Sequence, residues 1–168
     1  ISEVMALAET ALVLKGGRLV AHGKTPQVLV DPNVSHIADY VTLENLLEAE
    51  VVMPRVDTGL AELRVGGIQL LAPEVHRQPG EAVMISIRAG DVIMVLDVPV
   101  KISARNIVSS VIEEIHVLGP RVLVYADVGI RLVIEITPGA MRDLQLREGQ
   151  RVYLIIKTNS ITVLDAPD

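Results

Sequence analysis

Residues 80–88, GEAVMISIR, are the most informative stretch of the sequence, because nearly the same pattern recurs at residues 149–157, GQRVYLIIK. Branched apolar residues dominate both stretches, and such side chains are typical of strands. A second short apolar run follows each copy, at residues 92–94 and again at 161–163. The constant offset of 69 positions between the copies indicates an internal repeat of one small β-structure.

An asparagine followed by an apolar residue marks the start of each repeat. Asn45 and Asn106 are 61 positions apart, so the second copy holds about eight more residues than the first. Residues 137–144 account for the difference, since Thr137-Pro138 is a helix-start signal. Small five-stranded OB-like barrels commonly carry such a helical turn between strands.

These features predict a mainly β protein made of two tandem OB-like barrels after a short α+β segment. We assign residues 43–98 to the first barrel and 99–168 to the second, with edges that pair with each other or with another chain. Residues 1–42 combine helical spacing with a strand–turn–strand signal around Gly16-Gly17. Val- and Ile-rich runs predict strands of the first barrel at 47–53, 60–65, 68–71, 82–88 and 92–95.

Composition excludes several classes of function. The net charge is −6 and the basic residues are scattered, which argues against a nucleic-acid partner. Phe and Trp are absent, so bases and sugars find few rings on which to stack. No apolar run approaches the ~20 residues of a membrane span. With no signal peptide and no cysteine, the sequence favours a cytoplasmic location.

Catalytic and metal-binding arrangements are missing from the sequence. Glu113 and Glu114 are adjacent, and neighbouring residues of a strand point to opposite faces, so we predict no acid/base pair. A G-x-x-x-x-G-K-[ST] phosphate loop is absent, and we therefore expect this chain not to be an enzyme by itself. The histidines show no metal-ligand spacing and are dispersed: His22, His36, His76 and His116.

Residues 102–106, ISARN, and 156–160, IKTNS, are the strongest signals of a binding site. They resemble the Ser-Ala-Arg-Asn and Ile-Lys-x-x-[ST] motifs of the molybdate-binding barrels called Mop or TOBE domains, over about residues 101–164. Residues 1–42 resemble the last segment of an ABC transporter ATPase domain, notably VLKGGRLVAHG at 13–23. The resemblance implies the C-terminal part of a molybdate-importer ATPase.

This resemblance implies a ligand, molybdate or tungstate, bound where two barrels meet, with Thr137 contributed by the partner barrel or subunit. A tetrahedral dianion is held by converging hydroxyls, backbone N–H groups and cations. Simpler roles compete: Arg105 can pair with Glu113 or Glu135, and Thr137 can be only an N-cap. The implied ligand set is Ser103, Ala104, Arg105, Asn106, Thr137, Lys157, Thr158 and Ser160.

Two departures from the family pattern bear on this site. Ser109-Ser110 stand where the family usually has glycine, so we expect a different turn or barrel contact there. In the first repeat Glu44-Asn45 replaces the Ser-Ala-Arg-Asn motif, and Arg88 takes the position of Lys157. We expect the first repeat to be structural or a weaker half-site.

Three functions remain open on the sequence alone. The leading hypothesis is a regulatory module, in which cytoplasmic oxyanion links the barrels of a homodimer and biases an attached ATPase toward an inactive state. Its partners are then the permease subunits at the inner membrane. The alternatives are a purely structural dimerisation domain, and regulation by another solute such as sulfate.

Overall fold

The computed structural model describes residues 8–24, 28, 43–55 and 59–164, which are largely β-structure, as predicted. The predicted strand–turn–strand around Gly16-Gly17 is confirmed. The helices predicted elsewhere in residues 1–42 fall largely outside the described residues, but Val28, in the second of them, is helical and buried. The strands are β1 (Thr10–Lys15), β2 (Arg18–Lys24), β3 (Glu44–Arg55), β4 (Leu60–Val65), β5 (Ile68–Pro73), β6 (Ala82–Arg88), β7 (Ile93–Val95), β8 (Asn106–Leu118), β9 (Arg121–Asp127), β10 (Arg131–Ile136), β11 (Arg151–Ile156) and β12 (Ile161–Leu164). One α-helix, α1 (Pro138–Asp143), and two 3-10 turns, Ala89–Asp91 and Thr158–Ser160, complete the described elements.

Two five-stranded antiparallel sheets form the body of the fold, and β1 and β2 form a separate hairpin. The first sheet has the order β12-β6-β3-β4-β5, and the second has the order β10-β9-β8-β11-β7. Strands β3 to β6 of the first sheet correspond one by one to β8 to β11 of the second. The internal repeat inferred from residues 80–88 and 149–157 is therefore confirmed by the sheet topology.

The two halves exchange their last strands. Strand β7 follows β6 along the chain but pairs with β11, in the register Met94 opposite Leu154. Strand β12 pairs in turn with β6, and Ile161 lies opposite Ile87. A boundary between residues 98 and 99 divides the sequence repeats but cuts across both sheets. The exchange covers edges that a single small barrel would leave open.

A shared hydrophobic core joins the halves. Leu63 and Ile85 of the first sheet and Ile134 and Leu154 of the second are fully buried in the same cluster. Alternation along the strands produces this core, since β8 buries every second residue from Asn106 to Ile112. Each fully buried Leu or Ile contributes on the order of 2 kcal/mol, so aliphatic side chains can support the fold without Phe or Trp.

The β4–β5 and β9–β10 hairpin turns pack directly against each other. Gly66 and Gly129 both have positive φ, 54° and 90°. A Cβ added at Gly129 would lie 2.9 Å from the backbone nitrogen of Gly67. This contact therefore needs glycine both for its backbone conformation and for the close approach of two main chains.

Helix α1 accounts for the extra residues of the second repeat, as predicted. Thr137 is its N-cap: the Thr137 Oγ1 accepts a hydrogen bond from the Ala140 N–H at 3.1 Å, and Pro138 occupies the first turn. In the described part of the chain, no helix combines the length and the apolar character that a membrane span requires.

Candidate functional site

The two sequence motifs meet at one end of the β8–β11 pair. Asn106 lies opposite Ile156 in the antiparallel register. Arg105 and Lys157 are the next residues beyond this last pair. Residues opposite each other in such a ladder have Cα atoms about 4.5–5.5 Å apart. The two predicted cations therefore flank the same end of the ladder, although they are 52 positions apart in sequence.

Neither of these two cations is neutralised within the described residues. Arg105 and Lys157 are both exposed, and no carboxylate of the described segments forms an ion pair with either. The alternative partners of Arg105 are engaged elsewhere, since Glu113 pairs with Arg131 and Glu135 pairs with Arg121. This end of the ladder thus carries two adjacent positive charges in an acidic protein.

Thr158 lies directly after Lys157 and is buried. Its side chain is 9% exposed, and its Oγ1 has no hydrogen-bond partner. Leaving a buried hydroxyl unsatisfied costs about 1–3 kcal/mol. Thr158 opens the 3-10 turn Thr158–Ser160, in which the Ser160 N–H donates to the Lys157 carbonyl at 3.0 Å. An unsatisfied hydroxyl therefore directly follows Lys157 in the chain.

Asn106 fastens this end of β8 to the other sheet. The Leu71 N–H donates to Asn106 Oδ1 at 2.7 Å, and Asn106 Nδ2 donates to the Leu71 carbonyl at 2.9 Å. The turn Thr158–Ser160 also contacts β5, the strand that carries Leu71. The Asn106 side chain is 4% exposed and fully engaged by protein, so its role as an oxyanion ligand stays a prediction.

Asn45 makes the equivalent contact in the first half. The Val133 N–H donates to Asn45 Oδ1 at 2.7 Å, and Asn45 Nδ2 donates to the Val133 carbonyl at 2.9 Å. We call these two contacts the asparagine clasps. The sequence aligned the repeats on Asn45 and Asn106 and predicted Asn106 as an oxyanion ligand, but it did not predict this structural role. A polar residue kept at the start of both buried strands was the available signal.

Three further predicted ligands lie outside β8, β11 and the 3-10 turn: Ser103, Ala104 and Thr137. Ser103, exposed, and Ala104, half-buried, belong to the segment that leads into β8. Thr137 is exposed and follows β10, the edge strand contacted by Asn45 and by the turn Ala89–Asp91. Thr137 directly follows β10 in the chain, whereas Asn106 and Lys157 lie at the ends of β8 and β11.

The prediction that Glu113 and Glu114 face opposite sides of their strand is wrong. The register of β8 shifts between Ile112 and Glu114, and such a bulge reorients the residues next to it. Both carboxylates contact Arg131, Glu113 at 3.3 Å and Glu114 at 2.6 Å. Arg131 also lies over the Tyr125 ring, 4.4 Å from its centre. These groups form a charged network, not an acid/base pair.

Ser109 and Ser110 form no turn but lie within β8. Ser109 is exposed and pairs with Tyr153 of β11. Ser110 is buried, and its hydroxyl donates to the Asp127 carbonyl at 2.9 Å. Replacement of the family's glycine thus adds a hydrogen bond between β8 and the end of β9. In the described ranges no three His, Asp or Glu side chains come together as metal ligands, and His36 lies outside them.

Comparison with known proteins agrees with the motifs. Residues 102–163 match the TOBE domain family. The chain is 30% identical over 165 residues to the molybdenum import ATP-binding protein ModC of Rhodopseudomonas palustris, covering 94% of this chain and 43% of that protein. It is 30% identical over 162 residues to the molybdate/tungstate import ATP-binding protein WtpC of Pyrococcus horikoshii, covering 96% and 44%. The chain thus spans less than half the length of these two relatives.

A solved structure shares the fold. The cytoplasmic molybdate-binding protein ModG, crystallised with molybdate bound, superposes with a TM-score of 0.63 at 21% identity. The match covers 71% of this chain and 94% of that chain. Residues 102–163 form a TOBE domain, in a chain related along nearly all its length to the ATP-binding proteins of molybdate and tungstate import.

Proposed function

We propose that this chain is a regulatory module that binds molybdate or tungstate at the end of the β8–β11 pair. The observation that carries the proposal is the unpartnered, buried Thr158 hydroxyl at the strand end that Arg105 and Lys157 flank. Neither cation forms an ion pair with a carboxylate of the described residues. An oxyanion supplies what all three groups lack: an acceptor for the hydroxyl and a countercharge for the cations. The module acts by binding and is not itself an enzyme.

The proposed donors suit a tetrahedral dianion. Charge-assisted hydrogen bonds from Arg and Lys are about twice as strong as neutral ones, and a desolvated hydroxyl adds direction. Ser103, in the segment before β8, and Ser160 contribute further hydroxyls, while Ala104 contributes a backbone N–H group. Asn106 holds the strand end in position through its clasp on Leu71.

The positive charge at the proposed site has to attract an anion although the protein as a whole is negatively charged. The net charge of −6 repels an anion at long range, although salt screens that repulsion beyond about 8–10 Å. At contact distance the two adjacent cations dominate, because the carboxylates of Glu113 and Glu135 are paired with other arginines. The site therefore attracts an anion without a basic surface.

The relatives narrow the identity of the anion. The Rhodopseudomonas and Pyrococcus proteins are named for molybdenum or molybdate/tungstate import, and ModG is a molybdate-binding protein. These names favour molybdate and tungstate over sulfate, which has the same shape and charge. Sulfate remains the alternative ligand and is a direct competitor in the test below.

The proposed role of Thr137 as a ligand requires a homodimer. Thr137 follows β10, a strand that Asn45 of the first half holds at Val133, and in this proposal the partner subunit's Thr137 completes the site. An anion shared between subunits favours one arrangement of the dimer and shifts the population toward it. We propose that this arrangement holds an attached ATPase inactive when cytoplasmic oxyanion is abundant, at the permease on the inner membrane.

A purely structural dimerisation domain is the second candidate. The outer face of the second sheet carries a row of apolar residues, with Ile93 and Ile107 on either side of Ile155. Ile93 is 53% exposed and Ile107 is 38% exposed. Such a face can join two chains without any ligand.

Calorimetric titration of the chain with molybdate, tungstate and sulfate separates these candidates. We expect heat and micromolar or tighter affinity with the first two anions, and a loss of at least tenfold in affinity in R105A and in K157A. Arg147→Ala is the matched control, because Arg147 is an exposed cation beyond the opposite end of β11. Absence of binding by the wild-type chain to all three anions would refute the oxyanion proposal and leave the structural one.

A further inference from the structure

The first half has residues at the positions equivalent to the candidate site, but one of the two cations is replaced by a carboxylate. Glu44 lies opposite Arg88 in the β3–β6 register, next to Asn45 opposite Ile87. In the second half, Arg105 and Lys157 hold the corresponding sequence positions, one residue beyond the pair of Asn106 and Ile156. Glu44 therefore occupies the position of Arg105, and Arg88 that of Lys157, so a carboxylate stands where the second half has a cation.

The Glu44 carboxylate is partly buried and bonded to its neighbours. The Ser86 hydroxyl donates to Glu44 Oε2 at 2.6 Å, and Arg88 Nε lies 3.9 Å from Oε1. Only 9% of the Glu44 side chain is exposed. A buried carboxylate is stable only where hydrogen bonds and cations compensate it. The first half supplies a hydroxyl and a cation, as an anion site does.

The counterpart of the Thr158 hydroxyl is missing from the first half. Ala89 follows Arg88 as Thr158 follows Lys157, and it is completely buried. The Ala89 N–H donates to the Leu43 carbonyl at 2.7 Å. The first half thus leaves no orphaned hydroxyl at this position, whereas the second half does.

We propose that the Glu44 carboxylate is a built-in anion that fills the oxyanion position of the first half. Each chain then offers only one of its two equivalent positions to molybdate or tungstate. A dianion approaching the first position would meet a fixed negative charge at contact distance, which is strongly repulsive in a partly buried site. This inference rests on the proposed function for the identity of the position, and it adds the number of ions and the residue that sets it.

A background variant isolates the first half. In K157A the second site loses a principal donor, and a further Glu44→Ala substitution opens the first position beside Ser86 and Arg88. We expect millimolar molybdate or sulfate, at constant ionic strength, to raise the melting temperature of E44A/K157A by several degrees. Glu44→Gln in the same background is the matched control, because an uncharged amide still fills the space. Equal anion effects on the Ala and Gln variants would overturn the inference.

A second experiment tests the same inference by a gain of binding, with residues of the second half substituted into the first. Glu44→Arg with Ala89→Thr gives the first half the residues of the second, and native mass spectrometry counts molybdate ions per chain. We expect one more ion per chain than in the wild type, with circular dichroism confirming that the variant is folded. An unchanged count in a wild type that does bind refutes the inference and leaves the proposed function intact. If the wild type binds nothing, the proposed function fails, and the E44A/K157A comparison alone decides the inference.

Discussion

Asn106 and Leu71 join the two sheets by a pair of hydrogen bonds, from the Leu71 N–H to Oδ1 at 2.7 Å and from Nδ2 to the Leu71 carbonyl at 2.9 Å. A side-chain amide carries the same donor and acceptor as a peptide, so Asn106 pairs with edge strand β5 as a short strand would. Asn45 does the same to Val133 of edge strand β10. Each sheet therefore has one edge closed by the other half.

Removal of a clasp should destabilise the whole molecule. In Asn106→Ala the N–H and carbonyl of Leu71 lose their partners in a partly buried site, where each unsatisfied group costs about 1–3 kcal/mol. We expect the free energy of unfolding to fall by about 2–4 kcal/mol, measured by urea denaturation. Asn45→Ala should cost a similar amount.

Asn159→Ala is the control for the clasp, because Asn159 is exposed in the adjacent 3-10 turn. It should change the unfolding free energy by less than about 0.5 kcal/mol, as surface substitutions usually do. An Asn106→Ala variant as stable as Asn159→Ala would contradict the structural role of the clasp.

The contact between the hairpin turns should be sensitive to a single methyl group. In Gly129→Ala the new Cβ meets the Gly67 nitrogen at 2.9 Å, at a φ of +90° that L residues rarely adopt. Gly119→Ala is the matched comparison, since φ is also positive and the Cβ meets nothing within 4 Å. We expect about 1 kcal/mol of destabilisation for Gly119→Ala and at least 1 kcal/mol more for Gly129→Ala, by thermal or urea unfolding. Equal losses would show that the turns do not contact each other in solution.

Strands and repeat could be predicted from sequence because their signals are local. The Val- and Ile-rich pattern predicted β6 and β11 as strands, and their constant offset in sequence predicted that the two strands are equivalent. The exchange of β7 and β12 could not be predicted, since a three- or four-residue strand carries no information about its partner. The bulge beside Glu113 was missed because period-two reasoning assumes an unbroken ladder.

The sequence likewise predicted one part of the candidate site but not the rest. The motifs predicted that Arg105 and Lys157 act together, and the β8 and β11 ladder brings these positions to one end. Sequence could not distinguish a buried Thr158 from an exposed one, because burial depends on how the 3-10 turn meets β5. Nor could it show that Glu44 and Ser86 bond across β3 and β6, since that contact follows from register and not from spacing.

The network around Arg131 should make stability depend on acid pH. Hydrogen bonds from His116, at 2.9 Å, and from Arg131 hold the pKa of Glu114 below its ordinary value of 4.5. A carboxylate with a lowered folded-state pKa stabilises the protein above its unfolded pKa and loses that contribution as pH falls through the folded value. Glu114→Gln should therefore be less stable than wild type at pH 6, and the difference should shrink below about pH 4.5.

Unfolding of both proteins by urea from pH 6 to pH 3 measures this difference directly. Asp97→Asn is the comparison, because Asp97 is exposed and has no ion-pair partner in the described residues. Its difference from wild type should stay nearly constant over the same range. A Glu114→Gln difference that is constant with pH would mean that the network does not form in solution.

Thr158→Val should change stability and affinity in opposite directions. Valine has the shape of threonine without the hydroxyl, so the ligand-free chain loses an unsatisfied buried group and should gain up to about 1–3 kcal/mol in unfolding free energy. Molybdate then loses a hydrogen bond to a charged acceptor, worth about 1.5–3 kcal/mol, and the affinity should fall about ten- to hundredfold. Urea denaturation without ligand and calorimetric titration with molybdate measure the two effects.

Thr162→Val serves as the control for Thr158→Val, since Thr162 is exposed on β12 and should leave both quantities nearly unchanged. Opposite signs at Thr158 are informative because a purely structural threonine would lose stability on substitution and leave anion binding as it was. A stabilised variant that binds molybdate with wild-type affinity would show that the orphaned hydroxyl is only a packing defect. The cations Arg105 and Lys157 would then have to hold the anion without it.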